Sequence, residues 1–286
     1  MSRKVEKTKK ILPGLYIIST PIGNLGDMTY RAKTVLEQAD IIACEDTRVT
    51  GKLLAYFEVK TPTISYHDHN EKKVLPQLLE RLEAGQIVGL VSDAGTPLIS
   101  DPGYHLVKEA REGGHFVSSI PGASAILAAL TSAGLPTDRF MFAGFLSNKT
   151  QARRKTLTEL ASVKATLIFY ESAKRLKDSL KDIFDVLGDR EAAVCRELTK
   201  LFEEVRRGSL AELVEHYDQN DRPKGEIVIV IGPRGETEVP IDKLDDALTK
   251  ALENLSVKEA VAAVTYSLGL KRKQVYERAL KISGNK

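Results

Sequence analysis

With 286 residues, 42% hydrophobic and 28% charged, the chain is too long for one small domain and fits two compact ones. No apolar run reaches the roughly 18 residues of a membrane span, and the basic, polar start at Met1–Lys10 holds no apolar signal-peptide core. The net charge of +3 is too small to prove a polyanionic partner, and Cys44 and Cys195, far apart within apolar strands, read as buried reduced thiols suited to the cytosol.

Residues 1–11 read as a flexible basic arm, with Arg3, Lys4, Lys7, Lys9 and Lys10 against Glu6. Leu15–Thr20 is the first strand and runs into a turn-rich loop, Pro21–Asp27, whose Asp27 is placed to cap a helix carrying Met28, Ala32, Val35, Leu36 and Ala39 on one face. A second strand, Ile41–Cys44, ends in Glu45-Asp46-Thr47-Arg48. Thr61–Tyr66 is a third, followed by His67-Asp68-His69-Asn70-Glu71. Two histidines and two acids in five residues invite a metal, but no further ligand cluster completes a tetrahedral site, so no metal is expected.

A helix covers Lys73–Glu83 and a fourth strand covers Ile87–Val91. That strand enters a tight polar loop, Ser92–Pro102. Gly95 there lets backbone approach a ligand, while Pro97 and Pro102 stiffen the chain. His115–Ile120 is a fifth strand. Strands alternating with helices imply a parallel sheet covered on both faces, with ligands beyond the carboxyl ends of the strands.

Pro121–Ser124 opens an apolar helix, Ala125–Ser132, closed by Gly134 and Pro136. Strands at Phe140–Ala143, Thr166–Tyr170, Ala192–Cys195 and Ile227–Ile231, with an edge strand at Leu201–Val205, imply a second, mixed sheet. Helices at Gln151–Leu160, Lys174–Leu187 and Leu210–Tyr217 lie between them. The Arg153-Arg154-Lys155 run is either a solvated face or a phosphate contact. Beyond Pro240 only helices follow. Ser256 and Glu259 form a capping box, and a second helix, Lys271–Lys281, bears Lys271, Arg272, Lys273, Arg278 and Lys281. The pair reads as a helical hairpin resembling a helix-turn-helix. The expected layout is α/β: an arm at 1–11, a parallel-sheet domain at 12–122, a mixed-sheet domain at 123–236 and a helical extension at 237–286.

Eight loops, in order, then carry a family resemblance. They are PIGNLGD (Pro21–Asp27), EDTR (Glu45–Arg48), YHDHNE (Tyr66–Glu71), SDAGTPLISDPG (Ser92–Gly103), PGASA (Pro121–Ala125), FYESAKR (Phe169–Arg175), RELTK (Arg196–Lys200) and GEIVIVI (Gly225–Ile231). The chain resembles the tetrapyrrole-methylase-like S-adenosylmethionine methyltransferases. Within them it is similar to the branch that methylates a cytidine ribose 2′-hydroxyl in the decoding region of small-subunit ribosomal RNA. The resemblance implies two α/β domains with S-adenosylmethionine in the cleft between them, and a homodimer. The missing G-x-G-x-x-G run agrees that this is not a dinucleotide fold. It carries cofactor contacts onto Pro21, Asp93, Gly95, Thr96, Ile99, Ser124, Ala125, Tyr170 and Cys195. Ala173 stands where the family commonly has proline. Gly95-Thr96-Pro97 replaces Gly-Asp-Pro of related tetrapyrrole enzymes, which gives Asp93 a polar role at the cofactor.

Methyl transfer from a sulfonium needs alignment, worth up to ~7–11 kcal/mol in ideal cases. A ribose hydroxyl also needs a base or a cation beside it. The loops offer Glu45, Asp46, Arg48, Asp101, Glu171, Lys174 and Arg175. Glu45 or Asp46 is the expected base, and Arg48 and Arg175 are the expected phosphate contacts. The competing readings are a tetrapyrrole or protein-residue methyltransferase of the same fold, and a non-catalytic RNA-binding module.

Overall fold

The structure, a computed structural model, describes residues 11–234, 241–268 and 272–283. Five strands, β1 (Gly14–Ile18), β2 (Ile41–Cys44), β3 (Thr63–Ser65), β4 (Ile87–Val91) and β5 (Val117–Ile120), form one parallel sheet in the order β3-β2-β4-β1-β5. Alternate residues feed two cores. Leu15, Ile41, Val88 and Leu90 meet α3 (Glu71–Glu83) and α4 (Tyr104–Glu112) on one face. Tyr16, Ile18, Ile42 and Val91 meet α1 (Tyr30–Gln38) and α2 (Thr47–Tyr56) on the other. Burial on both faces is why the three central strands, β1, β2 and β4, are largely apolar instead of alternating, whereas the edge strands β3 and β5 carry serine and threonine.

The strand order places the site. The chain leaving β1 crosses to β2, whereas the chain leaving the adjacent β4 crosses the other way to β5. Their loops therefore part and open a crevice at the carboxyl ends of β1 and β4, the switch point at which open α/β sheets take ligands.

The second sheet is mixed, in the order β6-β7-β10-β8-β9, from β6 (Phe140–Phe145), β7 (Thr166–Ser172), β8 (Glu191–Arg196), β9 (Glu204–Ser209) and β10 (Glu226–Ile231). Only β6 and β7 run parallel. Three helices, α6 (Thr150–Leu160), α7 (Leu176–Leu187) and α8 (Leu210–Gln219), cover one face. The short α5 (Ala125–Ser132), capped by Ser124, lies on the other. Because α5 packs on the second sheet, we draw the boundary between the α/β units just before it.

Several expectations are corrected. Thr29, not Asp27, caps α1: its hydroxyl accepts the Ala32 N–H at 3.0 Å, while Asp27 ends a separate 3-10 turn. The edge strand begins at Glu204, because residues 197–203 turn tightly with Glu197 and Thr199 in the left-handed region (φ 49° and 68°). Arg153 is neither solvated nor free for phosphate. It is 3% exposed, and its Nε donates to Asp182 at 2.7 Å, while Arg154 bonds Asp182 and Asp185 at 2.9 Å. Arg153 and Arg154 brace α6 against α7, while Lys155 keeps an exposed place on the helix surface.

The C-terminal part keeps the expected helical hairpin and adds a third helix to it. Helix α9 (Ile241–Leu252) joins α10 (Val257–Leu268) and α11 (Arg272–Ser283) around Leu244, Leu248, Val261, Val264, Val275 and Ala279. Ser256 and Glu259 make the expected reciprocal cap. Arg278 is bound by Asp245 of α9, so its charge is used inside the unit. The basic arm at 1–10 and Lys271 lie outside the described residues.

Candidate active site

Three loops predicted from sequence are bonded to one another. Thr20 and Gly95 exchange backbone hydrogen bonds, with the Thr20 N–H donating at 2.8 Å and the Gly95 N–H at 3.0 Å. The Thr96 hydroxyl donates to the Ala123 carbonyl at 3.1 Å and lies 2.9 Å from the Ser19 hydroxyl. The hydroxyl that stands in place of an acid is therefore a tie between the loops after β1, β4 and β5. Gly95 has φ 77°, and a Cβ there would sit 3.2 Å from Ile22 Cγ2. Further along, Leu98 and Ser100 hold left-handed backbone (φ 73° and 67°) without being glycine. Strain of that kind persists only where the surroundings over-determine it, and it gathers at functional sites.

These loops form one wall of a cleft of about 360 Å³, and the second sheet forms the opposite wall. Of the residues expected at a cofactor, Gly95, Thr96, Ile99, Ser124, Ala125, Tyr170 and Cys195 all line it. Pro21 does not; its neighbour Ile22 does. Sequence reasoning passed over Phe145, Leu198, and Gly225 with the first residues of β10, Glu226–Val228. The quoted GEIVIVI run marked the last of these as a motif without saying which end faced the cleft. Burial pushes the Cys195 thiol up to about 11 and the Tyr170 phenol up to about 12, so both side chains are neutral near pH 7. At one end, the Lys200 stem packs where a Cβ on Gly23 would fall 2.5 Å from its Cγ. The Lys200 ammonium bonds Glu197 at 2.8 Å and Glu226 at 2.9 Å. This lysine bridges the two α/β units.

Behind the same loop lies a second cavity of about 490 Å³, lined by Glu45, Asp46, Arg48, Ser65, His67, Asp68, His69, Asp93 and Pro102. The chain passes between cleft and basin twice, at Asp93-Ala94 and at Asp101-Pro102. Asp93 thus opens on the basin, where its carboxylate accepts the Asp46 N–H at 3.2 Å, and not on the cleft. Burial, then the carboxylates of Asp93, Asp101 and Asp68, raise the Glu45 carboxyl above its usual range. Burial and Asp93 likewise raise Asp101, against a hydrogen bond from Ser92. The His-Asp-His loop is largely self-bonded: the His67 N–H donates to Asn70 and the Asn70 amide to the Ser65 carbonyl, both at 2.9 Å. Among the described residues, no group of three or more His, Cys, Asp or Glu is arranged to hold a metal.

Three candidates are already committed. Asp46 caps α2 and grips Arg48 at 2.6 Å, and the Arg48 hydrogen bonds hold its carboxyl down at about 2, far too acidic for a base near neutrality. Glu171 is 3% exposed and accepts from Ser172 N–H (2.7 Å), Ser179 Oγ (2.5 Å) and Arg175 (2.8 Å). Arg175 also donates to the Leu146 carbonyl and Ser172 Oγ, both at 3.2 Å. Glu171 and Arg175 form a brace within the cleft wall. Their spacing of four residues showed that they could meet, but not that they would use each other up.

Comparison with known proteins matches residues 14–214 to the Tetrapyrrole (Corrin/Porphyrin) Methylases and residues 238–283 to the RsmI C-terminal HTH domain. A ribosomal RNA small subunit methyltransferase I of Vibrio cholerae is 48% identical over 277 residues, 95% of this chain and 96% of that protein. That of Mesorhizobium japonicum is 47% identical over 272 residues, 94% of this chain and 92% of its own length. Among solved structures, diphthine synthase superposes with a TM-score of 0.60 at 16% identity, covering 76% of this chain and 89% of that one. Uroporphyrin-III C-methyl transferase from Thermus thermophilus, solved with S-adenyl homocysteine, gives 0.53 at 20% identity, covering 76% and 96%. At those identities the two structures speak for the fold.

Proposed function

The chain belongs to the tetrapyrrole methylase family, and from that premise we propose that it is an S-adenosylmethionine-dependent ribosomal RNA methyltransferase acting on the small subunit. More finely, the acceptor is the ribose 2′-hydroxyl of a cytidine in the decoding region. The observation that carries this reading is a cleft whose lining, among the described residues, holds carboxylates and no lysine or arginine, joined through one loop to an acidic basin.

The cleft suits the cofactor. Its lining includes Asp101, Glu171 and Glu226 but no lysine or arginine among the described residues; with Glu171 and Glu226 paired to Arg175 and Lys200, Asp101 is the carboxylate left to favour a ligand with a cationic sulfur and an amino group. Its volume of about 360 Å³ falls in the range of small-ligand sites. Gly95, Thr96, Ile99, Ser124, Ala125, Tyr170 and Cys195 would hold the cofactor, with Pro21 and Asp93 flanking. Bound there, S-adenosylmethionine supplies a methyl group on a positively charged sulfur. The protein's part is to hold the hydroxyl in line, exclude water and take a proton, and alignment alone contributes several kcal/mol, up to ~7–11.

The basin suits the nucleoside and not its phosphate. Carboxylates there repel a phosphate but accept hydrogen bonds from ribose hydroxyls and from the cytosine amine. Phosphate contacts fall to the rim at Arg48 and to the C-terminal helices, where Lys273 and Lys281 are exposed. Two copies of the chain work as a homodimer in the cytoplasm, with no metal. Mapping ribose methylation in ribosomal RNA from cells with and without the protein tests the reading. One decoding-region cytidine should lose its methyl group, and an unchanged map refutes it.

A further inference from the structure

We propose that Asp101 is the catalytic residue that removes the proton from the ribose 2′-hydroxyl, an assignment that rests on the methyltransferase reading above. Three of the carboxylates around the site are engaged. Asp46 is held by Arg48, Glu171 by Ser172, Ser179 and Arg175, and Glu226 by Lys200. Glu45 and Asp93 line only the basin. Asp101 lines the cleft while its neighbour Pro102 lines the basin, so its carboxylate stands at the wall the two cavities share. A hydroxyl offered from the basin to a methyl group in the cleft must pass that wall.

The backbone keeps Asp101 in place. Ser100 before it and Leu98 before that occupy left-handed conformations, and Pro102 after it fixes φ. Such a segment cannot relax without unwinding the loop that Thr96 ties to Ala123. The groups facing Asp101 are the Asp93 and Glu45 carboxylates, the Ser92 hydroxyl and the Tyr170 phenol. Across the basin, Arg48 is neutralised by Asp46. Burial and like charge push Asp101 toward the operating pH, where a general base is most effective. In the step itself the hydroxyl oxygen bonds the methyl carbon, and the carbon–sulfur pair returns to sulfur and cancels its charge. The hydroxyl proton passes to Asp101 and from there to water.

The test compares Asp101→Asn, Asp101→Glu and Glu45→Gln in the full-length protein, with small-subunit particles lacking the modification as substrate. For Asp101→Asn, kcat should fall by about 10²–10⁴-fold. Its KM for RNA and its melting temperature should stay near wild type, and its S-adenosylmethionine affinity by calorimetry should fall by far less than kcat, the loss expected from one carboxylate of the cleft lining. Activity in the wild type should fail as pH drops through the raised Asp101 pKa, because the base must be ionised, and that acidic limb should vanish in Asp101→Asn and return shifted in Asp101→Glu. A kcat within threefold of wild type for Asp101→Asn, or loss of the limb in Glu45→Gln instead, overturns the assignment alone. A wild-type protein that methylates no ribose overturns the methyltransferase reading first, and this assignment with it.

Discussion

The cleft and the basin share one loop but are made of different chemistry. The cleft is walled mostly by backbone, small hydroxyls and uncharged side chains such as Tyr170 and Cys195; of its three carboxylates, Glu171 and Glu226 are paired with Arg175 and Lys200, which leaves Asp101. The basin is walled by ionisable groups, of which Glu45 is raised, Asp46 lowered and Arg48 paired. A neutral wall recognises by shape and close approach, so its function is lost through sterics. An ionisable wall recognises by hydrogen bonding and proton position, so its function is lost through charge. Substitutions should therefore separate the two by kind of damage as well as by size.

The largest effect is expected in the cleft. Gly95→Val should reduce S-adenosylmethionine binding by more than about 100-fold, because a side chain at φ 77° is strained and its Cβ would already press Ile22 at 3.2 Å. Calorimetry reads the affinity, and circular dichroism checks that the protein remains folded. A folded Gly95→Val protein with normal affinity would mean that the cofactor does not use this wall.

That this loop mattered was legible in the sequence; which way each side chain turned was not. The run Ile87–Val91 ended in Ser-Asp-Ala-Gly, and the observed strand has those bounds. Ala125–Ser132 was equally plain, with Ser124 to cap it and Gly134 to end it. Helix α2 escaped notice because Gly51 interrupts it and only Thr50 and Leu54 are buried, too little for a periodic signal. Asp93 and Ala94 are adjacent in sequence yet face different cavities. Partners distant in sequence were also hidden: nothing near Arg153 announces Asp182, 29 positions on. Helix α9 falls in the stretch read as helical beyond Pro240 but was not singled out, and its pairing with α11 through Asp245 and Arg278 depends on the tertiary fold.

A smaller effect sharpens the contrast from outside both cavities. Among the described residues the core of the C-terminal unit draws on its own helices, so deleting residues 238–286 should leave both sheets folded and S-adenosylmethionine affinity within about twofold of wild type. RNA affinity should fall by about tenfold. Its dependence on salt should weaken by more than one log–log unit if two phosphate contacts are lost, at about 0.7–0.9 per contact. Arg278 is not counted among them, since Asp245 already neutralises it. A truncated protein that binds RNA with an unchanged salt slope would return all phosphate recognition to the α/β units.

The smallest effect belongs to Arg48, whose side chain is 87% exposed at the basin rim. Its guanidinium reaches Asp46 through Nε at 3.0 Å and Nη2 at 2.6 Å, so much of its charge is already answered. Arg48→Ala should not unravel α2, because the cap runs from the residue 48 backbone N–H to Asp46 at 2.8 Å and needs no side chain. Asp46 would lose the hydrogen bond that does most to depress its pKa and would drift up toward ordinary carboxylates, while remaining ionised at neutral pH. The basin would thus become more negative by one charge, and a flanking phosphate would lose a weak attraction and meet a weak repulsion. We expect about a threefold rise in the dissociation constant for RNA, greatest at low salt, with kcat and S-adenosylmethionine affinity unchanged. A hundredfold loss of kcat at unaltered RNA affinity would instead put Arg48 at the reacting oxygen, and the basin would then act through a cation as well as through its carboxylates.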